Sequence, residues 1–288
     1  MIDLVAQLAV LGIANGVGYV VASLGLTIIF GVMRVVNFSH GEFYMLGAFT
    51  ASTLIAGLGL NYLVALPLAA LIVGFIGIVC EKLALAPLHD RPPLTPLLAT
   101  LGLSIILLNG AELIWGASPR PVQSPFEQEI MVIGPVYLTG QRVLIMVISA
   151  ITVSLIGVIL RYATAGKLIR AAAQNPEGAA LVGIDVDAVR GITFGLGCGL
   201  AGLSGGLLGA TAMAYPFMGQ AVAIKAFAVI ILGGLGSVRG AILGGLALGL
   251  VEAIVGGLLS TEYKDLFSYA VIISVLLFRP SGLVSARQ

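Results

Sequence analysis

Charged residues are scarce in this sequence, because Asp, Glu, Lys and Arg together make up 9% of its 288 residues. An ordinary soluble domain carries about a quarter of its residues as these four types. Hydrophobic residues reach 59%, and the mean hydropathy is +1.12. The shortage of charge excludes an ordinary soluble protein and indicates an integral membrane protein in contact with the lipid bilayer.

A surplus of positive charge is also missing, since the formal net charge is +1. Proteins that bind nucleic acid carry a basic patch or stripe, and no cluster of Lys and Arg alternates with aromatic residues here. We therefore expect no nucleic-acid partner. The two cysteines, Cys80 and Cys198, lie in apolar segments and are expected to behave as small hydrophobic residues.

Residues for catalysis are few, with His40 and His89 as the only histidines. The zinc-protease pattern H-E-x-x-H does not occur. The phosphate-binding loop G-x-x-x-x-G-K-[ST] fails as well, because Arg161 stands where its first glycine belongs and Leu168 follows Gly166-Lys167. We predict that the chain is not an enzyme, has no catalytic residue or metal site, and binds no cofactor itself.

Long apolar segments dominate what is present. A helix of about 20 apolar residues crosses a bilayer, and such segments lie near residues 5–31, 42–60, 62–81, 94–116, 142–160, 191–214, 221–235, 241–259 and 266–278. We predict an all-α polytopic membrane protein with one transmembrane domain over residues 1–288. It should have about nine spanning helices, with eight or ten as alternatives.

Positive charge is distributed unevenly among the predicted loops, and short cytoplasmic loops carry the excess of Lys and Arg. If the N-terminus lies outside, the outer loops hold only Arg120, Arg142 and Lys264. The inner loops then hold Arg34, Lys82, Arg91, Arg161, Lys167, Arg170, Arg190, Arg239, Arg279 and Arg287. We therefore expect the N-terminus outside and the C-terminus in the cytoplasm.

Two predicted loops are long: an outer loop over residues 117–141, which should form an ordered cap, and an inner loop over residues 161–190. Within the inner loop, Asn175 before Pro176 is typical of a helix start, and Glu177 suits the first turn. Gly183 supplies a stop. The resulting helix of about two turns is too short to be stable alone, so we expect it to become ordered by docking; a solvated connecting helix is the alternative.

Three charged residues fall inside predicted spans: Glu112, Lys225 and Glu252. Ionisable residues at membrane depth are costly and are often functional. They either pair structurally near the outer interface or line a cavity that opens outward. Glycine is also concentrated in two spans at spacings that allow helices to pack closely, namely Gly191, Gly195, Gly197, Gly199, Gly202, Gly205, Gly206 and Gly209, and Gly240, Gly244, Gly245 and Gly249.

A polar patch interrupts the apolar sequence between the first two spans, in the stretch VVNFSHGEFYMLGAF over residues 35–49. Ser39 and Glu42 have the S-x-x-E spacing of a capping box, which predicts a helix start at Gly41. A metal or acid–base role for His40 and Glu42 is a weak alternative, because no third partner accompanies them.

Four blocks of the sequence carry a family resemblance: GLTIIFGVMRVVNFSHGEFYMLGAF (25–49), LLATLGLSIILLNGAELIWG (97–116), AAAQNPEGAALVGIDVDAVRGITFGLGCGLAGLSGGLLG (171–209) and AFAVIILGGLGSVRGAILGGLALGLVE (226–252). Together they resemble the Liv-type branched-chain amino-acid permeases of ABC importers, at the length of the shorter of the two permeases that usually occur together. The resemblance implies a fold similar to that of the vitamin and simple-sugar ABC permeases. It also implies a multi-pass protein of a bacterial or archaeal inner membrane.

The resemblance further implies partners and residue roles. A periplasmic binding protein would deliver Leu, Ile or Val, and two cytoplasmic ATPases would bind ATP and Mg. The second permease would be a longer sister chain or a second copy. The ATPases would dock on a coupling helix formed by Asn175, Pro176, Glu177, Gly178, Ala179, Ala180 and Gly183. A helix break with a structural or gating role would comprise Asn37, Ser39, His40, Gly41 and Glu42.

Two questions stay open at this stage. Importers of similar sequence carry urea, other amino acids or small amides, and nothing in the chain selects among these substrates. A passive channel or an ion-coupled carrier that works without ATPases is the rival from another class, and it would need an ion site at mid-membrane.

Overall fold

The structure is a computed structural model that describes residues 2–89, 91–259, 264–278, 282 and 284. The described part is almost entirely helical, with one two-stranded hairpin. In chain order the elements are α1 (Ile2–Met33), α2 (His40–Leu58), α3 (Tyr62–Cys80), α4 (Leu94–Trp115), β1 (Ile130–Ile133), β2 (Val136–Thr139), α5 (Gly140–Tyr162), α6 (Thr164–Gln174), α7 (Pro176–Leu181), α8 (Val186–Ala212), α9 (Met218–Gly233), α10 (Val238–Leu258) and α11 (Lys264–Phe278).

Each of the nine predicted spans coincides with one of these helices. Among the described residues, six helices are long and apolar enough to cross a membrane: α1, α3 with its extension to Leu88, α4, α5, α8 and α10. The prediction of an all-α polytopic membrane protein is confirmed. The number of crossings stays a prediction, and Arg279 and Arg287, which we assigned to the inner side, lie outside the described residues.

The inner loop is more structured than we predicted. An additional amphipathic helix, α6, precedes the short helix α7; it buries Gly166, Ile169 and Ala172 and exposes Lys167 and Arg170. The start of α8 also lies at Val186, earlier than residue 191.

The first turn of α8 escaped the hydropathy pattern because it is polar. The Asp185 side chain caps this turn and accepts a hydrogen bond from Ala188 N at 2.9 Å. An acid at this position satisfies a free N–H group and complements the helix dipole.

The core is built around α8, which packs against α1, α2 and α3. The rings of Phe43 on α2 and Phe194 on α8 meet edge-to-face, with their centroids 5.9 Å apart. Glycine makes these close contacts possible: a Cβ on Gly197 would lie 2.7 Å from Gly25 O on α1. The expected close packing of the glycine-rich helices is confirmed at these positions.

The outer loop contains the hairpin, which we had not predicted in the expected cap. Strands β1 and β2 pair antiparallel, with Gly134 at positive φ in the connecting turn. Gln7 on α1 donates to Tyr137 O and accepts from Tyr137 N, both at 2.8 Å. Arg120 N and O exchange 2.8 Å hydrogen bonds with Ala214, between α8 and α9. The start of α1, the outer loop and the α8–α9 connection therefore share one end of the molecule.

Candidate functional site

The polar patch forms a true break between α1 and α2. Residues 34–39 leave the helical conformation, and Arg34 adopts a φ of +53°. Thr100 on α4 contacts the backbone of this break. Its hydroxyl accepts a hydrogen bond from Phe38 N at 3.2 Å and lies 3.4 Å from Val36 O. Backbone that leaves a helix at membrane depth needs such partners. We had not singled out Thr100, because nothing in the sequence places it beside the break.

The polar side chains of the break are buried and make hydrogen bonds. His40 Nε2 lies 2.7 Å from Ala22 O on α1; because a carbonyl oxygen only accepts, this ring nitrogen carries the proton. Glu42 Oε1 accepts from Ser104 Oγ on α4 at 3.0 Å. At Gly41, a Cβ would collide with the backbone carbonyl of Gly219 at the start of α9. The break therefore joins α1, α2, α4 and α9.

The predicted capping box is wrong. Helix α2 begins at His40, one residue before the expected start, and the Ser39 side chain makes no capping hydrogen bond. Instead Ser39 Oγ donates to Asn37 Oδ1 at 2.6 Å, and Ser39 N donates to the same oxygen at 3.1 Å. Glu42 points to Ser104 instead of back to the cap. Both side chains of the box are thus committed to other partners.

Removal of the Asn37 side chain should destabilise the break. Asn37→Ala leaves two buried donors of Ser39 without their acceptor, and we expect a loss of about 1–3 kcal/mol in the free energy of unfolding. Ser39→Ala removes only the hydroxyl donor and should cost less. Thermal unfolding of the detergent-purified protein measures both changes. An equal loss in the two variants would contradict this role of Asn37.

Helix α7 has the local chemistry expected of it. Asn175 caps the helix and accepts from Gly178 N at 2.9 Å, and Pro176 occupies its first position. Gly183 ends the turn with a φ of +85°. The two residues before Gly183, Leu181 and Val182, are 89% and 76% exposed. Two adjacent large apolar side chains are therefore presented outward at the end of α7.

Two of the three charged residues predicted inside spans form a buried ion pair. Lys225 Nζ on α9 lies 2.9 Å from Glu252 Oε1 on α10, with side-chain exposures of 12% and 3%. Tyr19 on α1 joins them: its hydroxyl donates to Glu252 Oε2 at 2.6 Å and accepts from Lys225 Nζ at 3.2 Å. The ammonium group also lies 5.2 Å from the centroid of the Tyr19 ring.

This triad lies in the wall of a cavity of about 540 Å³ between α1, α9 and α10, here called the α1–α9–α10 cavity. Most of its lining residues come from the first two-thirds of α1, the end of α8, the first half of α9 and the second half of α10, and α2 and α5 add Tyr44 and Arg142. They include Leu8, Leu11, Asn15, Tyr19, Tyr44, Arg142, Leu208, Thr211, Ala212, Ala221, Val222, Lys225, Glu252, Ala253, Gly256 and Gly257. Glu112, the third predicted charge, lies on α4 and is not among them.

A second polar cluster, which we had not predicted, lies at the opposite end. Glu81, in a π turn that continues α3, is 1% exposed, and its Oε1 lies 3.1 Å from His89 Nε2. His89 Nδ1 lies 3.1 Å from Arg190 Nη1, and Arg190 pairs with Asp187 at 3.2 Å. The cluster joins the α3–α4 connection to the first turn of α8. The hydropathy pattern could not reveal it, because these residues are distant in sequence.

One enzyme-like motif of the sequence lies within a helix. Gly202 to Gly206 matches the five-residue G-x-S-x-G pattern, which marks a sharp strand-to-helix turn in hydrolases. Here it lies in the middle of α8, and Ser204 Oγ donates to Gly18 O at 3.4 Å. Among the described residues, no group of three or more His, Cys, Asp or Glu side chains is arranged to hold a metal ion.

These features define a multi-pass α-helical membrane protein with a charged cavity between its helices. The chain belongs to the family described as "Branched-chain amino acid transport system / permease component", whose model matches residues 8–276. The predicted resemblance is thereby confirmed, and the chain is a permease component of this family.

Individual relatives agree with this assignment. The chain is 32% identical to the high-affinity branched-chain amino acid transport system permease protein LivH of Salmonella typhimurium, over 95% of this chain and 93% of that protein. It is equally similar to BraD of Pseudomonas aeruginosa, at 32% identity over 96% and 95%. The permease LivM of Escherichia coli is 23% identical, and the match covers 92% of this chain but 67% of LivM.

No solved structure matches this chain. The expected likeness to the vitamin and simple-sugar permeases therefore stays a prediction. The relatives are named as transport permeases, in accord with a transport role.

Proposed function

We propose that the chain is the membrane-spanning permease subunit of an ATP-driven importer for leucine, isoleucine and valine. The observation that carries this proposal is the family match over residues 8–276, together with relatives named as high-affinity branched-chain amino acid permeases. In this function the chain has no catalytic step of its own. ATP and Mg are bound by partner ATPases, and the chain alternates between outward and inward openings.

The segment around α7 supports a coupling role in the importer. The helix has six residues, which is too few for stability in isolation. Its last residue, Leu181, and the adjacent Val182 are exposed, and burying them against another protein would contribute hydrophobic free energy. We therefore assign α7 and its cap, from Asn175 to Gly183, as the docking site for the two cytoplasmic ATPases.

The remaining partners and the orientation follow from the same proposal. A periplasmic binding protein delivers the substrate at the hairpin end, and the second permease is a longer sister chain or a second copy. The relative LivM is a longer permease, since this chain covers 67% of its length. The existence of a longer permease among the relatives supports the heterodimer. The protein lies in a bacterial or archaeal inner membrane with its N-terminus outside. The residues predicted for the break, Asn37, Ser39, His40, Gly41 and Glu42, act as a structural or gating element.

Co-purification tests the proposal directly. We expect the tagged chain, extracted from its native membrane in mild detergent, to bring two ATPases and a second permease, which mass spectrometry identifies. The complex in proteoliposomes should take up leucine only when the binding protein and ATP are both supplied. Recovery of the chain alone, or leucine uptake without ATP, would contradict the importer and favour a channel or an ion-coupled carrier. Uptake of urea or an amide instead of leucine would overturn the proposed substrate alone.

A further inference from the structure

The ion pair in the α1–α9–α10 cavity is an unusual feature for a tightly packed membrane core. Lys225 and Glu252 each lie within helices that are otherwise apolar along this wall, and they share the phenol of Tyr19. Removing two charges from water is expensive, and apolar residues of similar size often stabilise a protein equally well or better. Packing alone therefore does not account for this pair, and charges at membrane depth commonly serve a function.

The cavity gives the pair access to a ligand. Its volume of about 540 Å³ lies within the range of about 300–1,000 Å³ that is usual for small-molecule sites. One part of its wall is charged, and another part is apolar, formed by Leu8, Leu11, Leu208 and Val222. A ligand that matches both parts has a head with two opposite charges and an apolar side chain.

We propose that Lys225 and Glu252 bind the head group of an amino-acid zwitterion during its passage, with the carboxylate on Lys225 and the ammonium group on Glu252. This inference rests on the proposed function and assigns the residues that bind the head group of its substrate. The bound zwitterion exchanges one neutral set of ion pairs for another, because the Lys225–Glu252 contact opens as the two ligand contacts form. The exchange therefore adds no net charge to the Lys225–Glu252 part of the low-dielectric wall.

Tyr19 positions both partners in this exchange. Its hydroxyl donates to Glu252 and accepts from Lys225, so it keeps the two charged groups on the same side of the cavity. The apolar wall then receives the aliphatic side chain of the substrate. Urea and simple amides carry neither charge, and they cannot replace either half of the ion pair.

The test uses a double neutral variant in the complete transporter. Lys225→Met or Glu252→Gln alone breaks the 2.9 Å ion pair and leaves one of its two charges buried, so loss of uptake in either would not distinguish binding from folding. The double variant Lys225→Met/Glu252→Met removes both charges, and its thermal stability and co-purification with partner subunits report on folding. Glu112→Gln is the matched control, because it removes a helix carboxylate that does not line the cavity.

We expect the double variant to assemble with a thermal midpoint close to that of the unchanged protein and to take up leucine at least about tenfold more slowly. A factor of ten corresponds to about 1.4 kcal/mol of lost interaction. The Glu112→Gln transporter should retain uptake within about twofold. Uptake by the double variant within twofold of the unchanged transporter would overturn the zwitterion site and leave the importer intact. Failure of the unchanged transporter to take up leucine would instead count against the proposed function.

Discussion

Gly47→Val is expected to leave most molecules of this protein unfolded, because the free energy of unfolding should fall by more than about 3 kcal/mol. Gly47 lies on α2 where this helix crosses α8, and both residues at the crossing are glycine. A Cβ at position 47 would fall on backbone atoms of Gly202, including its carbonyl oxygen and Cα. Backbone atoms cannot rotate away as a flexible side chain can, so the helices would have to separate.

Separation of α2 from α8 would affect the whole core. The side chains of Phe43 and Met45, which precede Gly47 on α2, are fully buried. Gly205 on α8 packs against the backbone carbonyl of Tyr44 on α2. Each of these contacts depends on the same short distance between helices. Interiors are packed like crystals, so the lost contacts cannot be recovered by small local shifts.

Gly110→Val provides the matched control for this prediction. Gly110 lies on α4, and a Cβ there meets nothing within 4 Å. The same substitution should therefore change stability little, because valine is at least as favourable as glycine within a helix. Fluorescence-detected size-exclusion chromatography and the thermal midpoint in detergent measure both variants. A monodisperse Gly47→Val protein with an unchanged midpoint would contradict the proposed packing.

The helices were largely predictable because their apolar runs are long. All nine predicted spans coincide with helices, but the polar first turn of α8 was missed, since Asp187 and Arg190 delay the apolar signal until after the helix has begun. Local chemistry could have corrected this error, because Asp185 is a good cap. The same local reasoning correctly predicted the start of α7 at Asn175-Pro176.

The sites were less predictable because they depend on partners distant in the chain. The capping box failed when Glu42 bonded to Ser104 on another helix, 62 residues away. The cavity triad joins Tyr19 to Lys225 and Glu252 across separations of 206 and 233 residues. Composition indicated that charges inside spans need partners, but only the fold shows which groups meet.

Gly183→Val is expected to uncouple ATP hydrolysis from transport while the chain still folds. Gly183 follows α7 with a φ of +85°, a conformation that is strained for a β-branched residue. The backbone would relieve this strain by changing direction after Val182. The exposed side chains of Leu181 and Val182, which form the proposed docking surface, would then point elsewhere. We expect leucine uptake to fall by about tenfold, equivalent to about 1.4 kcal/mol of docking free energy.

The ATPase activity of the reconstituted complex measures the coupling between hydrolysis and transport. The binding protein loaded with leucine should stimulate hydrolysis in the unchanged complex and fail to do so with Gly183→Val. Replacement of Glu177, which lies in the first turn of α7 and is exposed, should act in the same direction. The loss from Glu177→Gln should be smaller, because this change leaves the backbone unstrained.

Gly59→Val is the control that distinguishes a loss of docking from a general effect of backbone strain. Gly59 ends α2 with a φ of +65°, and, as at Gly183, a Cβ there would meet nothing within 4 Å. The strain introduced by valine is therefore similar at both positions, but Gly59 lies at the end of α2 away from the break and far in sequence from α7. The Gly59→Val complex should keep its stimulated hydrolysis and its uptake. Equal uncoupling by the two variants would mean that strain alone accounts for the effect, and α7 would lose its assignment as the docking site.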